Sequence, residues 1–261
     1  MLMPMSEIPL EDLLAIDLTQ VLPDPHAIDF PEQCAGLITA LDQGRVLTAD
    51  TYNHRYTRCF FNPLAEKLAR SLTALPEDVR PDGKQAWLSR GYTHEEWLNR
   101  VLWLWAPLVH SDNFMVNDRQ RLKDFCHSRR ANVESYYQVK DPYAHLEAAD
   151  NVNIHLFPRM AMEGPPKKSP SNPGEDLTVA DYAFWWIRIF NAHFALTDMC
   201  GHYPYAIQWK GQDLCDKDKE WLEATDYALY NPDNAPIFEQ VKKDVQNGVW
   251  QPMTTIPRYE K

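Results

Sequence analysis

The sequence predicts a mainly α-helical protein whose helices pack around one buried helix at about residues 179–199. Three observations support this fold class. Apolar residues recur every three or four positions in several segments, as they do on one face of a helix. Helix-start signals precede those segments. Nine glycines against 20 prolines indicate short, stiff connections rather than a glycine-rich sheet, so we expect few and short strands.

The central helix is expected in the most apolar and aromatic segment of the chain, residues 177–209. Thr178 can act as its N-cap with Asp181 as the capping-box acid, and Gly201 can end it in a left-handed conformation. The segment is long enough to cross a bilayer, but it also carries Arg188 and Asp198. Charges at that density are too costly inside a membrane. We therefore expect this helix in the core of a domain.

Start and stop signals predict the other helices. Most of the expected helices begin at an Asp, Asn or Thr, and each carries apolar residues that can face a core. These helices run over residues 29–44, 62–76, 93–107, 118–139, 217–229 and 234–248, with a further turn or two at 10–17. Residues 45–61 are rich in Thr, Tyr and Arg and predict one or two short strands or an extended crossing. Alternating polarity over residues 151–157 predicts a half-buried strand.

The length of 261 residues suits one large domain or two small ones. We favour a single domain over residues 1–261. It would have an acidic N-terminal arm at 1–28 and a Pro, Ser and Lys surface loop at 163–176. That loop could also be a domain linker. Because it leads straight into the central helix, a surface loop is the better interpretation.

Charge is distributed unevenly along the chain. The formal net charge is −11, and residues 1–50 hold nine acids against one base, Arg45. The rest is nearly neutral, so no basic face for nucleic acid is expected. The acidic segment suits a basic protein partner, or the basic helix at 118–139 of the same chain. Docking within the chain is the simpler alternative.

The five cysteines show no paired spacing, which favours reduced thiols and argues against a disulfide framework or a zinc finger. The first residues lack the basic start and apolar run of a signal peptide, and Glu7 and Glu11 follow early. We therefore expect a cytoplasmic protein without a membrane partner.

None of the common nucleotide-binding, serine-hydrolase or zinc-protease motifs occurs in the sequence. The sequence consequently identifies no cofactor, and no metal ligand is assigned.

Polar residues of the central helix form a seam along one side, because a helix turns 100° per residue. The seam comprises Asp181, Phe184, Arg188, Asn191, Ala195 and Asp198. In one interpretation it lines a pocket in which Arg188 binds a carboxylate or phosphate. In the alternative, the seam meets water, or Arg188 pairs with Asp181 or with an acid on another helix.

The candidate catalytic residues are His193, Asp198 and His202, which could perform general acid–base chemistry where the helix ends. The candidate substrate-binding residues are Asp181, Phe184, Trp186, Arg188 and Asn191. A His on an apolar helix face can also be a buried residue with a structural hydrogen bond. The same His, Asp and His set could hold a metal, but its spacing matches no strong motif.

Two functions remain open at this point. One is a helical enzyme or carrier for an apolar or aromatic small molecule, with acid–base chemistry in an aromatic-lined pocket. The other is a non-enzymatic, acidic binding or inhibitor protein that docks a basic partner.

Overall fold

The computed structural model describes residues 10–44 and 48–253. It confirms the mainly α fold. The α-helices are α1 Leu10–Ala15, α2 Phe30–Gln43, α3 His54–Tyr56, α4 Asn62–Thr73, α5 Lys84–Leu88, α6 His94–Val109, α7 Asp112–Asn117, α8 Arg119–Tyr137, α9 Glu147–Asp150, α10 Leu156–Glu163, α11 Val179–Cys200, α12 Pro204–Ile207, α13 Asp216–Ala224 and α14 Ala235–Gln246. A π-helical turn spans Thr57–Phe61, and short 3₁₀ helices span Leu18–Val21, Ala144–Leu146, Gln208–Lys210 and Pro232–Asn234.

The two segments expected to form strands are helical or turned instead. In the described part of the chain, β pairing is limited to one isolated bridge between Lys168 and Asp176. Tyr56, Phe60 and Leu64 are all buried, and their spacing of four is that of a helix face rather than of a strand. Residues 151–152 and 154–155 form turns that lead into α10. Residues 45–47 lie outside the described residues.

The central helix matches its prediction closely. It is α11, and its capping box is formed: the Thr178 hydroxyl accepts from the Asp181 N–H at 3.1 Å, and the Asp181 carboxylate accepts from the Thr178 N–H at 3.4 Å. It ends at Gly201, whose φ of 77° is left-handed. Neighbouring helices surround it, namely α7, α8, α9, α10 and α13. None of the described helices is long and apolar enough to cross a membrane.

Two helices differ from their predicted ends. Helix α6 continues through Pro107 to Val109, because a proline removes one hydrogen bond near the end of a helix without preventing its last residues from being helical. Helix α13 ends at Ala224, before the expected residue 229. Asp226, Tyr227 and Leu229 all have left-handed φ angles, which a right-handed helix cannot include.

Backbone contacts divide the described chain into two compact units. The first consists of residues 10–44, 48–107, 205–214 and 231–253, and the second of 108–204 and 215–230. Helix α11 is the centre of the second unit. The single domain over 1–261, its arm at 1–28 and its surface loop at 163–176 stay predictions.

In the first unit, the described part of the N-terminal arm packs on the following helices. Leu13 of α1 is buried in one apolar cluster with Phe60 and Leu64. The Lys67 ammonium donates to three carbonyl oxygens at the end of α1, the nearest being Ile16 O at 3.1 Å. This contact therefore combines burial of an apolar side chain with a cation at a helix C-terminus.

The first unit also contains what we call the tryptophan hub, formed by Trp87, Trp97, Trp105, Pro81 and Asp82. Three indole N–H groups donate to two consecutive residues: Trp87 to Pro81 O at 2.6 Å, Trp97 to Asp82 O at 3.4 Å, and Trp105 to the Asp82 carboxylate at 3.3 Å. Buried indoles usually need such a partner. The hub thus fixes the turn at 81–82 against the tryptophan-rich helices.

Candidate functional site

A surface pocket of about 320 Å³ lies in the second unit. Its walls combine two aromatic rings, a proline rim and four charged side chains. The lining residues are Tyr143, Arg159, Met160, Glu163, Gly164, Pro165, Pro166, Lys167, Trp185 and Arg188. Its volume is at the lower end of the about 300–1,000 Å³ that ligand pockets occupy. A single-ring molecule therefore suits it better than a dinucleotide.

Helix spacing explains why these residues meet. Trp185 and Arg188 are three apart on α11, and Arg159 and Glu163 are four apart on α10, so each pair shares one helix face. Gly164 then ends α10 with φ 70° and ψ −168°, a conformation that is open essentially to glycine alone. The chain turns there, and the following prolines and Lys167 form the rim.

Arg188 lies in the pocket wall, but its charge is already compensated. Its guanidinium donates twice to the Asp150 carboxylate, at 2.7 and 3.1 Å, in a bidentate ion pair. It also stacks over the Tyr143 ring, 4.7 Å from the ring centre. The pair is largely buried, with 18% of the Arg188 side chain and 9% of the Asp150 side chain exposed. Arg188 therefore pairs with an acid on another helix and holds Tyr143 in the wall.

The remaining charges of the pocket have no ion-pair partner among the described residues. Arg159, Glu163 and Lys167 are exposed, and none forms an ion pair with any described residue. Two cations thus stand against one acid at the pocket. A guanidinium and an ammonium with free donors can bind a carboxylate or a phosphate.

The other predicted substrate-binding residues lie elsewhere. Asp181 is buried, and besides closing the capping box it accepts a 2.6 Å hydrogen bond from Ser171 of the preceding loop. Burial alone would raise the pKa of Asp181, but hydrogen bonds from Ser171, Ser169 and Thr178 together bring it below its ordinary value. Phe184, Trp186 and Asn191 are buried and do not line the pocket. Of the polar seam, the pocket includes only Arg188.

His193 lies in the core of the second unit with 2% of its surface exposed. Its Nδ1 donates to the Ile189 carbonyl at 2.7 Å, one helical turn earlier. The ring packs 3.8 Å from the centre of Phe157 and faces Tyr203 and His110 at 5.7 and 5.9 Å. Its surroundings are those of a packed core histidine.

Asp198 and His202 have partners of their own. The Asp198 carboxylate, more than half exposed, pairs with Arg119 of α8. His202 Nε2 donates to Asp218 at 2.8 Å, and the same Asp218 carboxylate caps the start of α13 by accepting from the Cys215 N–H at 2.9 Å. Neither residue lines the pocket. The three predicted catalytic residues thus have three different partners, namely Ile189, Arg119 and Asp218.

No group of three or more His, Cys, Asp or Glu side chains in the described ranges could hold a metal ion.

Several acids of the acidic N-terminal region have partners within the first unit. Glu32 pairs with Arg100 at 2.7 Å, and Asp17 caps the helix that begins at Leu18. Asp50 accepts hydrogen bonds from Asn231 and Asn234. This part of the charge stabilises the unit itself and is not an unpartnered acidic face.

Sequence reasoning missed Arg159, Glu163, Lys167, Trp185 and Tyr143 as site residues. The first two belong to a segment with no recognised helix signal. If residues 156–163 are assigned to a helix, the spacing of four places Arg159 and Glu163 on one helix face. The contact between Asp150 and Arg188 joins residues 38 positions apart, which no local pattern indicates.

Comparison with known protein families, characterised proteins and solved structures finds no match to this chain.

Proposed function

We propose that the protein binds a small molecule that combines an aromatic or apolar body with an anionic group. One observation carries the proposal: two cations without an ion-pair partner among the described residues, Arg159 and Lys167, border a pocket walled by Trp185 and Tyr143. Ligand pockets commonly combine apolar walls with a few polar groups that fix orientation.

Each part of the pocket has a distinct role in this proposal. Arg159 and Lys167 bind the carboxylate or phosphate, and Trp185 and Tyr143 contact the ring. Arg188 positions Tyr143, and its charge is already compensated by Asp150, which accepts from its Nε and Nη2. None of His193, Asp198 and His202 lines the pocket, so they have no part in the proposed binding. Acid–base chemistry by these three residues stays a prediction.

Isothermal titration of the full chain with 3-phenylpropionate tests the proposal. The amide of the same acid, which has the same ring but no charge, is the comparison ligand. We expect the acid to bind at least about ten-fold more tightly than the amide, which corresponds to about 1.4 kcal/mol. Arg159→Ala and Lys167→Ala should each remove most of that preference, because each deletes a cation that faces the anion.

Lys168→Ala is the matched control. Lys168 adjoins Lys167 but pairs with Asp176 at 2.6 Å and does not line the pocket. Its substitution should leave the affinity unchanged. Equal affinity for the acid and the amide, or absence of binding by any aryl carboxylate, would contradict the proposal.

The alternative function, an acidic protein that docks a basic partner, stays a prediction. The internal partners of Glu32, Asp17 and Asp50 give it no support.

A further inference from the structure

Glu163 is the acid that lines the pocket, and it lies one helical turn after Arg159. It is exposed, and no described residue forms an ion pair with it. A ligand that presented only an anion would meet an unfavourable charge here. A ligand must therefore either pair a cation or hydrogen-bond donor with the Glu163 carboxylate or keep its own anionic group away from it.

Arg159 and Glu163 do not neutralise each other. Opposite charges four residues apart commonly pair on a helix surface, although an acid that follows the base is the weaker order. Here the guanidinium and the carboxylate are beyond ion-pair distance. Both groups consequently keep their hydrogen-bonding capacity for a third molecule.

The spacing of Arg159 and Glu163 along α10 suits a small ligand that contacts both side chains. Four residues advance about 6 Å along a helix axis. A small molecule that carries an ammonium and a carboxylate on one carbon can contact both side chains. Its ring can then contact Tyr143 and the part of the largely buried Trp185 side chain that lines the same pocket of about 320 Å³.

We infer that the ligand is a zwitterion of the aromatic amino-acid class. Arg159 and Lys167 bind its carboxylate, Glu163 binds its ammonium group, and the ring packs on Trp185 and Tyr143. This inference rests on the proposed function, since it adds a second charge to the ligand proposed there.

Matched ligand pairs test the inference on the full chain. Phenylalanine, tyrosine and tryptophan are each titrated against the acid that lacks only the ammonium group: 3-phenylpropionate, 3-(4-hydroxyphenyl)propionate and indole-3-propionate. At neutral pH we expect at least one amino acid to bind ten-fold or more tightly than its partner acid. The Glu163→Gln variant should abolish that difference and leave the affinity for the partner acid unchanged or higher.

Glu175→Gln is the control, because Glu175 is an exposed acid in the following loop that does not line the pocket. Thermal unfolding of both variants verifies that they fold. If the partner acids bind as tightly as the amino acids and Glu163→Gln changes nothing, the inference is overturned while the proposed function stands. If neither class binds, both are overturned.

Discussion

At the scale of single residues, the pocket contains arginines in two different states. Arg188 is largely buried and bonded twice to Asp150, whereas Arg159 is exposed and has no ion-pair partner within the described ranges. Removing one partner of a buried ion pair leaves an uncompensated charge and destabilises the fold, whereas an exposed charge without a partner contributes little to stability. Breaking the pair of Arg188 and Asp150 should therefore destabilise the fold, whereas substitution of Arg159 should not.

Asp150→Ala should lower the free energy of unfolding by about 2 kcal/mol, because hydrogen bonds to charged groups contribute about 1.5–3 kcal/mol. Arg159→Ala should change it by less than about 0.5 kcal/mol, as exposed substitutions usually do. Urea unfolding of both variants measures the difference. A large loss of stability in Arg159→Ala would show that its guanidinium is structural.

The lowered pKa of Asp181 should make the stability of the fold depend on pH in the acid range. Its pKa is lower in the folded protein than the about 3.9 of an unfolded chain. The stabilisation is thus fully present above the unfolded value and is lost as the pH falls through the lowered folded value. The stability advantage over Asp181→Asn should be constant above about pH 5 and shrink below about pH 4. Chemical unfolding across that range measures it, and a constant difference would contradict the assignment.

At the scale of elements, helices whose ends are set by local residues were predictable, whereas an element that depends on long-range packing was not. The start and end of α11 follow from Thr178, Asp181 and Gly201, all of which act within one helical turn. The π-helical turn at Thr57–Phe61 has no such signal, and its Thr and aromatic content favours a strand. Burial of Tyr56 and Phe60 on one helix face overrides that preference.

Two glycines with left-handed φ angles give a matched pair of substitutions. An alanine methyl at Gly201 meets no atom within 4 Å, so Gly201→Ala should cost only the backbone strain of about 1–2 kcal/mol. At Gly211 the same methyl would lie 2.6 Å from Val245 Cγ2, so Gly211→Ala should cost more. Adding Val245→Ala should recover part of that excess. Thermal unfolding of the single and double variants measures it, and no recovery would contradict the clash.

At the scale of the whole molecule, the fold class was predictable, whereas the candidate pocket was only partly so. Helix periodicity identified a central helix with Arg188 on it. The pocket forms because α10 and the loop after Gly164 lie beside Trp185, and that arrangement depends on contacts between segments that are distant in sequence. Sequence patterns therefore identified Arg188 of the pocket wall and missed the aromatic residues and the other charges beside it.

Removal of residues 1–28 should lower the melting temperature. The deletion exposes Phe60 and Leu64, which pack against Leu13, and it removes the carbonyl groups that bind Lys67. Leu13→Ala should reproduce much of the loss, since truncation of a buried leucine costs about 2–5 kcal/mol. Glu11→Ala, at an exposed position of the same helix, is the control. An unchanged melting temperature after the deletion would show that the arm contributes nothing to stability.

The tryptophan hub provides a measure of how often part of the first unit opens to solvent. An indole proton that is hydrogen-bonded and shielded from water exchanges with deuterium only when the structure around it opens. The indole protons of Trp87, Trp97 and Trp105 all rest on Pro81 and Asp82. In heavy water their three NMR resonances should therefore decay at one common rate. That rate is the rate of exchange through opening of the turn at residues 81–82.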